Sequence, residues 1–127
     1  MVVVDEALAP GLAANAAAVM ALTLGTKVPA LVGEPFVDGA GERHPGLITT
    51  GLPVLRAAAS ELPALRAKAL AAEVGVVGFP RSGQTTTDYE HFRAMVAETE
   101  ALEYLGLAFY GDGKALSRLT GSLGLLR

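Results

Sequence analysis

From Ala7 to Gly25 the chain carries no charged residue, and Ala, Leu, Val and Met occupy every helical turn of the stretch. A helix apolar all round is covered on all sides, so the segment is an interior helix, a targeting peptide or a membrane span. Three features favour the interior helix. Asp5 and Glu6 precede it, where a secretory leader carries basic residues, and no Lys or Arg occurs before Lys27. Pro10, Gly11 and Asn15 interrupt it. It also falls slightly short of the ~20 residues that span a bilayer. The expectation is a helix from Pro10 to Leu24, closed by Gly25, pressed between a sheet and a second layer of a water-soluble protein.

The strand beneath that helix is expected at Val2-Val3-Val4, a β-branched run suited to a position buried on both faces. Residues 28 to 49 are broken by Pro29, Gly33, Pro35 and Asp38-Gly39-Ala40-Gly41, which predicts an irregular edge hairpin. Leu52–Leu55 predicts a strand, and Ser60 an N-cap for a helix carrying Leu62, Leu65, Ala69 and Ala72. Glu73–Phe79 predicts a further strand. After it, Thr87-Asp88-Tyr89-Glu90 reads as a capping box for a helix reaching residue 103. Leu105–Tyr110 predicts another strand, Asp112 caps a short helix, and Ser122–Leu126 predicts a closing strand.

Strands alternating with helices predict one α/β domain over 1–127. The expected form is a three-layer sandwich with a mixed four- to five-stranded sheet and helices on both faces. With 51% hydrophobic and 18% charged residues, a packed core is within reach and disorder is excluded. The absence of Cys excludes disulfides, thiolate metal sites and thiol nucleophiles, and fits a cytoplasmic setting. A net charge of -3 argues against a nucleic-acid partner. No membrane, metal or cofactor is expected.

Two stretches resemble a known family. Val2-Val3-Val4-Asp5-Glu6 with Leu8-Ala9-Pro10-Gly11-Leu12, and Arg43-His44-Pro45-Gly46 with Pro53-Val54-Leu55-Arg56-Ala57, are similar to the bacterial domain of unknown function 2000 family. That family resembles type 2 peptidyl-tRNA hydrolases in fold. Gly83-Gln84-Thr85 and the closing Leu119–Leu126 stretch look like corresponding parts of those enzymes. The resemblance implies a shared mixed four-stranded, peptidyl-tRNA hydrolase II-like core. It does not carry the chemistry over. Leu12 stands where the hydrolases have a Lys, Asn15 where they have a Gln, and Pro80-Arg81-Ser82 where they have an Asp. Of the polar residues tied to their activity only Thr85 matches, and the helix beginning at residue 88 looks like an insertion.

Candidate site residues cluster beyond strand ends, where open α/β sheets bind ligands. Arg81, Gln84, Thr85 and Thr86 offer a cation, an amide and hydroxyls beside a helix start, a pattern suited to an anion or carbonyl, or simply to capping and turn formation. Asn15 either faces a pocket or bonds to backbone of the 80–88 loop. Asp5 orients a pocket group or caps the first helix. His44 is a general-base candidate or an exposed loop residue. Two functions follow from different classes. One is a small-molecule binding domain using Asp5, Asn15, Arg81, Gln84, Thr85 and Thr86. The other is an ester or amide hydrolase in which Thr85 positions water and Asn15 stabilises an oxyanion, with His44 as a further catalytic candidate. A homo-oligomer, most simply a homodimer, is expected through the Tyr89/Phe92 face of the 88–104 helix.

Overall fold

A computed structural model describes residues 1–127. Its central sheet has the order β4-β1-β6-β5, with β1 at Val2–Asp5, β4 at Val54–Ala57, β5 at Gly75–Pro80 and β6 at Tyr104–Tyr110. β1 runs parallel to β4 and antiparallel to β6, which is antiparallel to β5, so the sheet is mixed. The expected fifth strand does not form. Leu125 makes a single bridge to Leu55, and Gly124 and Leu126 bond to Arg56 and Val54 along the outer edge of β4.

Alternation along β1 divides the core. Val2 and Val4 pack with Ala13, Ala16, Met20 and Leu24 of α1, the Pro10–Lys27 helix. Val3 packs with Leu62, Leu65 and Ala69 of α2, the Leu62–Ala71 helix. α4 (Gly113–Thr120) adds Ala115, Leu116 and Leu119 on the Val3 side. Glycines set the approach distances. A Cβ on Gly106 would lie 2.6 Å from Met20 Cε and 2.9 Å from the Val3 carbonyl oxygen, so this position lets α1 close on the sheet. The ring of Tyr110 covers Gly75, its register partner on the edge strand.

Several expectations are corrected. α1 is covered on one side only. Leu12, Val19 and Leu22 on its opposite side are 41%, 42% and 77% exposed, because no second layer reaches that face. Gly25 does not end the helix, which continues to Lys27 and closes with the Val28 N–H donating to the Leu24 carbonyl. Ser60 caps nothing. A 3₁₀ turn at Ala59–Glu61 precedes α2, and the Glu61 carboxylate accepts from the Ala58 N–H instead. The N-cap of α3 (Tyr89–Ala97) is Asp88, accepting from the His91 N–H at 3.0 Å, rather than Thr87. α3 also stops at Ala97, well before residue 103.

The irregular hairpin forms, with Phe36–Val37 (β2) paired to Arg43–His44 (β3), but in a separate small sheet and not on an edge of the central one. No helix of the protein is long and apolar enough to cross a membrane.

Candidate functional site

The carboxyl end of β5 feeds a tight polar turn. Pro80 is followed by a 3₁₀ turn over Arg81–Gln84, tied down by the Arg81 N–H donating to the Glu103 carbonyl at 2.8 Å. Gly83 is required here, because a Cβ would lie 2.8 Å from the Phe79 ring beneath it. The early end of α3 sends residues 98 to 103 back as an irregular strap beside this turn. Between turn and strap lies a cleft of about 330 Å³, lined by Arg81, Ser82, Thr85, Thr99, Ala101, Leu102 and Glu103.

The hydrogen-bond inventory of the cleft is uneven. Thr85 donates from Oγ1 to the Ser82 carbonyl at 2.8 Å, and Thr99 donates to the Met95 carbonyl at 2.8 Å. Both hydroxyls have spent their protons and offer lone pairs. Arg81 donates only Nε, to Glu103 at 2.9 Å, which leaves the other guanidinium N–H groups unassigned. The Ser82 Oγ is shut off from solvent and has no partner at all. A buried hydroxyl without a partner costs about 1–3 kcal/mol and calls for one.

The remaining predicted residues are distributed around this cleft or away from it. Thr86 accepts from the Asp88 N–H at 3.0 Å and serves the approach to α3. Gln84 accepts from Asn15 Nδ2 at 3.3 Å, linking the turn to α1 through a side chain and not through loop backbone. Asn15 is exposed rather than interior. Asp5 is buried at 5% exposure and accepts from the Ala7 N–H at 3.0 Å, so it closes the turn after β1 instead of capping α1.

His44 is not brought to the cleft. It lies in the hairpin that follows the far end of α1, and from Asn15 to Lys27 that helix rises about 18 Å. Its Nε2 pairs with Asp38 at 2.9 Å and its ring stacks on Phe36 at 5.1 Å. That hydrogen bond, with further ones from the Glu42 and Ala40 amides, holds the Asp38 carboxyl below the usual carboxylate range.

Ser82, Thr99 and Glu103 were not singled out in the sequence. Ser82 sits inside the recognised polar run, but nothing in its type or spacing says that its hydroxyl lacks a partner. Thr99 and Glu103 read as continuing a helix that has already ended. No group of His, Asp and Glu gathers with the geometry of a metal site.

The model of the DUF2000 family, described as proteins of unknown function, matches residues 1–127. Among curated proteins nothing matches. A solved structure of the protein of unknown function Atu0240 from Agrobacterium tumefaciens strain C58 superposes with a TM-score of 0.90 at 19% identity, covering 98% of this chain and 93% of that one. At that identity the likeness is one of fold alone.

Proposed function

The chain belongs to the DUF2000 family, whose members share no assigned activity, and from that premise we propose that it is a small-molecule binding domain whose ligand presents a carbonyl or carboxylate to the cleft behind β5. The observation that carries this reading is the unpartnered Ser82 hydroxyl in a residue lining that cleft. The free N–H groups of Arg81 are the exposed donors, and the Ser82 hydroxyl, which water does not reach, becomes one when a ligand opens the turn. The acceptors Thr85 and Thr99 suit an amide or hydroxyl elsewhere on the ligand. Glu103 balances the charge of Arg81, which favours a neutral carbonyl compound over a phosphate. A volume of about 330 Å³ matches the small end of ligand sites, ~300–1,000 Å³.

A hydrolase reading draws less support. Thr85 has its proton engaged by the Ser82 carbonyl, and His44 belongs to the distant hairpin. We infer the finer fold on the same footing. The order β4-β1-β6-β5, with α1 and α2 in separate core clusters, supports a peptidyl-tRNA hydrolase II-like three-layer sandwich. A cytoplasmic setting belongs to the same reading and is compatible with a Cys-free chain.

Thermal-shift screening of small amides, keto compounds and carboxylates tests the binding site, because a ligand selective for the native state raises the melting temperature. Hits are expected to lose their shift in Ser82→Ala and in Arg81→Gln. Ser82→Ala itself is expected to be as stable as the parent or more so, since it deletes a buried unpaired hydroxyl. Hits that persist in both variants would place the ligand elsewhere.

A further inference from the structure

The helix that appeared covered on all sides is bare on one of them, and the pattern of that bare side is specific. Leu12, Asn15, Val19 and Leu22 are spaced by three, four and three residues and are all exposed. That is a/d spacing whose one polar member, Asn15, already donates to Gln84 of the same chain, so Leu12, Val19 and Leu22 are the members left for a second helix. This seam lies opposite the buried stripe of Ala13, Ala16, Met20 and Leu24. Exposed Ala14 and Ala18 beside the seam permit close approach of a second helix.

We propose that a second copy of this chain covers the seam, with the two α1 helices packed antiparallel about a two-fold axis near Ala18. Charge selects that occupant. The helix is uncharged from Pro10 to Thr26, with Glu6 before its start and Lys27 at its end, both exposed. Antiparallel pairing sets Lys27 of each copy toward Glu6 of the other and opposes the helix dipoles, whereas parallel pairing stacks like charges. A two-fold axis also makes one apolar surface its own complement. A membrane surface is a poorer match, because interfacial helices flank their apolar face with Lys and Arg.

A separate groove runs along Ala21, Leu24 and Gly25 and is lined by Val32 and Ile48 of the segment after α1, on a different side of the helix from Leu12 and Val19. The Tyr89/Phe92 face is a weaker candidate for pairing. Tyr89 is its one strongly exposed large apolar side chain, and Glu90 and Arg93 flank it.

The chain has no Cys, so a single introduced thiol reports on the seam without interference. Sedimentation velocity of the full chain at high protein concentration is expected to give a species of twice the 13.0 kDa chain mass. Leu22→Glu is expected to give the monomer while keeping the parent's circular dichroism and cooperative unfolding. Ala18→Cys is expected to form a disulfide-linked dimer under mild oxidation, and Lys68→Cys on α2, across the sheet from α1, is not. A monomeric parent at every concentration would overturn the proposal. So would a dimer that survives Leu22→Glu, or vesicle binding by the parent that Leu22→Glu abolishes.

Discussion

Arg81 and Glu103 join the two walls of the cleft, the guanidinium Nε donating to the carboxylate Oε2 at 2.9 Å, beside the backbone bond from the Arg81 N–H to the Glu103 carbonyl. The side chains are 54% and 77% exposed. An exposed pair of this kind contributes at most a few tenths of a kcal/mol. Its importance is for ligand charge, because Glu103 cancels the one cation in the cleft. Glu103→Gln is therefore expected to leave the urea midpoint within about 0.5 kcal/mol of the parent. It is also expected to shift preference toward carboxylates over neutral carbonyl compounds in calorimetric titrations. An unchanged preference would remove Glu103 from the account of the cleft.

The Asp38–His44 pair gives a pH-dependent prediction at the other end of the molecule. The folded Asp38 carboxyl is held low, chiefly by His44 and then by the Glu42 and Ala40 amides. A depressed folded value means that the carboxylate supports the hairpin above the ordinary carboxylate range. That support is lost as pH falls through the folded value. Exchange protection of the Ala40 and Glu42 amides is expected to persist through the ordinary carboxylate range and to fall only at lower pH, as Asp38 protonates. In His44→Gln, carbon-detected titration should find Asp38 moved back toward, but not to, its usual range. The two amide bonds remain in that variant.

How much of this was legible in the sequence differs by element, for physical reasons. Val2–Val4 and Leu105–Tyr110 announced themselves because a strand buried on both faces must be continuously apolar. Pro10 marked the start of α1 by its preference for the first helical turn. The bare face of α1 was illegible. An uncharged helix shows no polar side, so periodicity cannot tell which stripe meets the sheet. Half of the cleft was legible. Arg81 and Thr85 follow a strong strand and stand out as polar, whereas Thr99 and Glu103 were hidden inside apparent helical continuity. α3 stops at Ala97 and the chain returns to bring Glu103 against Arg81, a contact between residues 22 apart that local sequence does not signal. His44 was drawn to the site by its chemistry alone, since composition says nothing about which end of the sheet a hairpin occupies.

α2 closes with a strained residue. Glu73 is the one non-glycine with positive φ, at 55°, and two bonds hold it there. Its N–H donates to Leu70 and that of Val74 to Ala69, the pattern of a Schellman cap. That position ordinarily takes Gly, because a Cβ in the left-handed region costs ~1–2 kcal/mol. Part of the gain on replacement is offset by the greater freedom of Gly in the unfolded chain, ~0.5–1 kcal/mol. Glu73→Gly is expected to stabilise the protein by up to about 1 kcal/mol, seen as a melting-temperature rise of a few degrees. A lower melting temperature would mean that the Glu73 side chain contributes more than its backbone costs.

Gly106 makes the opposite case, and it separates two neighbours that differ in their ability to yield. A Cβ there meets Met20 Cε at 2.6 Å and the Val3 carbonyl at 2.9 Å. The Met20 side chain is flexible and can rotate away. The Val3 carbonyl belongs to the central strand next to β6 and cannot move without disturbing the β1–β6 ladder. Gly106→Ala is therefore expected to cost about 1–3 kcal/mol, the range for overpacking a dense core. In a double-mutant cycle with Met20→Ala, the side-chain part of the clash is relieved and the backbone part remains. Urea unfolding should then show the Gly106→Ala penalty reduced, but not abolished, in the Met20→Ala background. Complete relief would mean that the β1–β6 spacing adapts freely. An undiminished penalty would assign the whole cost to the strand and none to the contact with α1.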